Sequence, residues 1–175
     1  MVQLYSLMWI LAVFFAVVGF LRGWNREVVA TAGIFLGMFL LFQFDPILRG
    51  TLLLSFPRSQ AFAIQIAIFL IVVYFAYQNR TFVRERRSEL NFQEGLLGGL
   101  VGAVNGYLVG GAIWYFMDIN EYPLSPYIVA PGPNSPSAEF ISRMPLTILS
   151  GGVGGSGDLL AVAVIFLFLL VLIVL

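Results

Sequence analysis

Hydrophobic residues along this chain gather into five long runs, and charged residues are confined to the segments between them. The runs cover residues 2–21, 28–44, 61–77, 95–117 and 159–175, with 20, 17, 17, 23 and 17 residues. A helix needs about 20 apolar residues to cross about 30 Å of hydrocarbon, with about 17 at the short limit. The pattern therefore predicts an all-α fold, a polytopic integral membrane bundle of four core transmembrane helices plus a fifth, C-terminal one. It divides the chain into a transmembrane core over 1–117, an extracytoplasmic Pro- and Gly-rich connection with a short amphipathic helix over 118–157, and the C-terminal helix over 158–175. The first run lacks a positive leader and exceeds the hydrophobic length of a cleavable signal, so a retained helix is expected. The last run is expected either to span the bilayer or to dock on the bundle.

The fourth run has an internal order of its own. Gly98, Gly102, Gly106 and Gly110 fall four residues apart, so on a helix they form one stripe, and Gly95 and Gly99 widen it. In water each such glycine costs roughly 0.5–1 kcal/mol relative to alanine. In lipid the same residues let a second backbone approach closely, as in a glycine zipper. The stripe is expected to pack against another helix, within the chain or in a homo-oligomer. Four uncharged polar residues sit at membrane depth, Thr31, Gln43, Gln65 and Asn105. Asn105 lies on the glycine-rich helix itself. It is read either as part of a polar pathway or as glue between helices, bonded to Gln65 or Thr31.

Between the first two runs stands Gly19-Phe20-Leu21-Arg22-Gly23-Trp24-Asn25-Arg26-Glu27. Gly23 suits a tight reversal, and Arg22, Arg26 and Trp24 suit the headgroup region. The segment 22–27 is either an interfacial hairpin corner or a docking or conduction element built on Arg26 and Glu27. The connection 78–94 carries Arg80, Arg84, Arg86 and Arg87, and with Arg22 and Arg26 these make six arginines on one side. The other side has three, Arg49, Arg58 and Arg143. The positive-inside rule then places the N-terminus outside and the C-terminus in the cytoplasm. All eight prolines fall in 45–60 and 118–158, so no span is expected to contain one. Within 118–158, Ser135 is expected to cap a short helix with Pro136 in its first turn, and Phe140, Ile141 and Met144 to lie on the outer membrane face. The run from Gly151 to Gly157 reads as a flexible tether.

Composition narrows the chemistry. The chain is 60% hydrophobic and 10% charged, with nine arginines against nine carboxylates and no Cys, His or Lys. Thiol nucleophiles, disulfides, imidazole bases, Schiff-base lysines and the usual zinc ligands are thereby removed. No span contains an acidic or basic residue by these boundaries, whereas ion and proton paths usually show one. No catalytic, cofactor-binding or metal-ligating residue is identified, no cofactor is implied, and nothing in the charge points to nucleic acid. The expected partners are the lipid bilayer, other membrane subunits or a second copy of the chain.

The hinge and the fourth run together resemble the bacterial colicin V production protein family. Arg22, Gly23, Arg26 and Glu27 match an R-G-x-x-R-E-type hinge. Glu94, Leu97, Gly98, Gly102 and Gly106 match an acidic residue ahead of an L-G-x-x-x-G helix. The stretch from Phe140 to Met144 is similar to an amphipathic segment of the family. The likeness covers roughly residues 1–145. Departures are Leu4 and Tyr5, where an acidic residue is often found, and Asn105, where a basic one is common. The resemblance implies a four-helix core in the bacterial inner membrane, a role in toxin production or export and envelope physiology, and no catalytic activity. A small channel or transporter, and an accessory subunit of a larger complex, are the other readings the residues allow.

Overall fold

The computed structural model describes residues 4–78, 92–152 and 155–174. Among them regular structure is helical throughout: α1 (Leu4–Arg22), α2 (Trp24–Ile47), a π-helical turn (Leu48–Leu52), α3 (Arg58–Tyr77), α4 (Phe92–Ile119), α5 (Pro136–Ile141), α6 (Pro145–Ser150) and α7 (Asp158–Val174). Four helices are long and apolar enough to cross a membrane: α1, α2 with its π turn, α3 and α4. The chain is an all-α membrane bundle. The arginine-rich part of the third connection, with Arg80, Arg84, Arg86 and Arg87, lies outside the described residues.

The helix α4 is the centre of the bundle. Half of its apolar stretch is buried, against 22% for α1. α1 packs almost entirely on α4, whereas α3 packs mainly on α2, and α2 joins the two pairs through a second face of α4. The core between them is apolar: Ile34, Met38, Phe69, Ala112 and Phe116 are essentially inaccessible, and the Phe69 and Phe116 rings meet edge to face at 5.9 Å.

Three expectations are corrected here. The hinge is one residue, not six: Gly23 at φ 81° separates α1 from α2, a left-handed conformation that favours glycine. Glu27 therefore lies inside the first turn of α2 and is fully buried, so a charge does enter a span. Pro46 also lies inside α2, and the backbone re-forms after it with a wider turn in which the Leu53 amide donates to the Leu48 carbonyl at 2.7 Å.

The short helix after the fourth span forms as its cap dictates. The Ser135 side chain accepts a hydrogen bond from the Ala138 amide at 3.2 Å, and Pro136 takes the first helical position. Its apolar edge packs on the bundle, with Phe140 and Ile141 half-buried. Phe140 stacks on Trp114 at 6.0 Å and meets Tyr5 edge-on at 5.1 Å, while Met144 is inaccessible. These rings on α1 and α4 offer more apolar contact than a wet interface does.

Of the glycine run read as a tether, residues 153 and 154 lie outside the described residues, and the amides of Gly151, Gly152, Gly155 and Gly157 are hydrogen-bonded. Gly151 closes α6 in a left-handed conformation, and the Gly157 amide donates to the Ser150 carbonyl at 3.0 Å. α7 packs on α2. On α7, Leu160 is buried and Ala163, Val164, Leu167, Leu170 and Val171 are half-buried, while Val162, Ile165, Phe166 and Leu169 are exposed. At 17 residues α7 is at the short limit for crossing.

Candidate functional site

The glycine stripe of α4 lies against α1. The carbonyl oxygens of Leu11, Phe15 and Gly19, four residues apart on α1, face Gly106, Gly102 and Gly98 on the antiparallel α4. A Cβ at Gly106 would stand 2.6 Å from the Leu11 oxygen and 2.7 Å from the Ala12 Cα. One at Gly98 would reach the Gly23 Cα at 2.9 Å, and one at Gly102 the Gly19 Cα at 3.0 Å. Gly95, Gly99 and Gly110 sit at looser edges, where the nearest atoms are 3.1 to 3.3 Å away and belong partly to the side chains of Phe20, Leu11 and Met8. Of these six, Gly98, Gly102 and Gly106 are the ones where an added Cβ would come closer than 3.0 Å to the α1 backbone or the hinge.

That approach brings α4 close enough for Asn105, beside Gly106, to reach the start of α2. The Asn105 amide donates to the Glu27 carboxylate at 2.9 Å and to the Glu27 carbonyl at 3.2 Å. Thr31, one turn further along α2, places its hydroxyl 2.7 Å from the Asn105 oxygen and 2.8 Å from the Glu27 carbonyl. From α3 the Tyr77 hydroxyl donates to the second side of the same carboxylate oxygen at 3.1 Å. From α1 the Arg22 guanidinium pairs with the other carboxylate oxygen, donates to the Tyr77 carbonyl at 2.9 Å and lies 4.4 Å from the Tyr77 ring centre.

Residues from four helices thus meet on one carboxylate. Glu27 and Asn105 have no exposure, Thr31 has 8%, and the Arg22 side chain keeps 18%. A buried carboxylate is tolerable only when its charge is paired and its lone pairs are used, and both conditions hold here. Chemically the arrangement holds a charge, and among the described residues each oxygen of the Glu27 carboxylate faces a donor. Arg26 is half-buried on α2 beside this cluster and Glu94 stands in the first turn of α4.

Gln65 belongs to a different network at the far end of the bundle. It donates to Asp45 at 3.0 Å and accepts from Asn120 at 2.7 Å, so it does not meet Asn105. Arg49 pairs with Asp45 at 2.5 and 2.7 Å and donates to the terminal Ile119 carbonyl of α4 at 3.0 Å. Residues Glu121 and Tyr122 follow at φ 58° and 51°, two successive non-glycine residues in the left-handed region. Such residues cost about 1–2 kcal/mol each and need outside support. Tyr122 supplies it, since its hydroxyl accepts from the Trp114 indole at 3.1 Å, and burial pushes that hydroxyl well above the usual tyrosine range.

Sequence reasoning missed Tyr77, Asp45 and Asn120, which lie at or beyond the edges of apolar runs and carry no spacing signal. It also missed Gly33 and Gly37. These sit on α2 against Ala76, Val72 and Phe69 of α3, and their own four-residue spacing marks them.

The family model for colicin V production protein matches residues 6–145. The chain belongs to the colicin V production protein family. The match takes in all four core helices, the Arg22 to Glu27 hinge, the α4 glycines and α5, and it ends at the first residue of α6. Past the end of the match, α6 lies against α4 and α7 against α2. No curated protein and no solved structure matches the chain.

Proposed function

We propose that this protein is a non-enzymatic inner-membrane component that supports the production or export of a colicin-type toxin, with the α1–α2 hinge on the cytoplasmic side. The observation that carries the reading is the closed Glu27 cluster. Among the described residues its polar groups bond one another, which suits a group that holds four helices in register more than one that turns over substrate. The family membership supplies the process, and the arginine asymmetry supplies the orientation.

The channel reading loses support from the core. Between the Glu27 network and the Asp45 network lies the apolar layer of Ile34, Met38, Phe69, Leu108, Ala112 and Phe116. A wetted path through a single copy would have to breach that layer.

The test is genetic. In a toxin-producing bacterium that carries this chain, its deletion should lower toxin activity in the medium, and wild-type protein should restore it. Glu27→Ala should restore it poorly, in step with lower membrane abundance. An unchanged extracellular toxin titre after deletion would sink the export reading.

A further inference from the structure

A second polar constellation lies at the far end of the bundle, away from Glu27. The loop between the π turn and α3 folds over the end of α4 and leaves a hollow of about 290 Å³. Arg49, Arg58, Asn120 and Glu121 line it, with Leu54 and Phe56 at its apolar side. Its charge is balanced: Asp45 sits behind Arg49, and Arg58 pairs with Glu121 across the mouth. Both members of that mouth pair are mostly exposed, at 62% and 68%, so they are free to exchange each other for a ligand. Beside them Leu52, Leu54 and Phe56 are 62%, 74% and 47% exposed, an apolar fringe next to the charged mouth.

The geometry points to a site for a zwitterionic phospholipid headgroup that carries a phosphate and a primary amine. The phosphate would accept from Arg58, while Arg49, whose three nitrogens already donate to Asp45 and Ile119, lines the hollow behind it. The ammonium would donate to Glu121, and the acyl chains would run along Leu54 and Phe56. A neutral mouth with one cation and one anion matches a zwitterion better than a simple anion, whose charge Glu121 repels. A trimethylated amine has no N–H to give Glu121. The volume is at the lower edge of ligand sites, enough for a headgroup but not for a whole lipid. The inference rests on the membrane placement of the bundle and not on the export role, so its failure leaves that role untouched.

The test is native mass spectrometry of the full chain in detergent. Phosphatidylethanolamine, phosphatidylcholine and phosphatidylglycerol of matched chains are offered in equal amounts, with free O-phosphoethanolamine in a parallel sample. The ethanolamine lipid should be retained about three- to fivefold more than either other lipid, the range of an interfacial charge contact. Arg58→Gln and Glu121→Gln should each remove that preference while the protein still elutes as one species with unchanged thermal unfolding. If one variant fails to elute, the other decides alone. Equal retention of all three lipids, a preference for phosphatidylglycerol, or a preference unchanged in the variants would overturn the assignment. Free O-phosphoethanolamine bound as tightly as the lipid would make it a site for a soluble metabolite and overturn the lipid as occupant.

Discussion

Glu27 gathers Arg22, Tyr77, Asn105 and Thr31 from three other positions in the bundle and one turn of its own helix. Removing one partner of a buried pair leaves the rest desolvated without compensation, at about 3–5 kcal/mol. Glu27→Ala should therefore lower unfolding stability in detergent by about 3 kcal/mol, and Glu27→Gln by less, because the amide still accepts from Tyr77 and Asn105. Asn105→Ala should cost about 1–2 kcal/mol. The Glu27→Ala, Asn105→Ala double variant should fall short of the sum, since both remove the same hydrogen bonds; strict additivity in a double-mutant cycle would contradict a shared cluster. At the other end, Tyr122 is neutral in the folded state over a wider range than in the unfolded chain. A raised hydroxyl stabilises the fold below the unfolded value of about 10 and is lost as pH climbs above it. Unfolding scans should show an alkaline loss that Tyr122→Phe reduces.

At the scale of elements, the glycines of α4 divide by what faces them. Gly102→Leu or Gly106→Leu drives a side chain into the α1 backbone and should destabilise by about 2–3 kcal/mol or prevent assembly. Gly50, in the π turn, has no atom within 4 Å of an added Cβ, so Gly50→Ala should leave unfolding unchanged or raise it slightly. Detergent-resistant folding of the Gly102→Leu, Gly106→Leu double variant would refute the packing argument. The run lengths made the four long helices legible, because lipid demands internally bonded segments of set length. The single-residue hinge was not legible, because Arg and Glu beside an apolar run read as interfacial until a partner charge permits their burial.

For the whole molecule, the six glycines are occupied within one chain, so a homo-oligomer would use a different face. Orientation is open to a direct measurement, since the natural sequence contains no cysteine. Single cysteines at the exposed Ser55 and Tyr127 should react with an impermeant maleimide from the periplasmic side, and one at the exposed Asn25 only after the inner membrane is opened. Labelling of Asn25→Cys in sealed cells would reverse the proposed topology. By itself the sequence determined a helical membrane protein, its long spans and its glycine face, because lipid translates apolar length and small-residue spacing directly into structure. Which helix the glycines meet, the burial of Glu27 and the separation of Gln65 from Asn105 were decided only in three dimensions. Those facts depend on which polar groups from distant segments arrive at the same depth, and no local pattern encodes that.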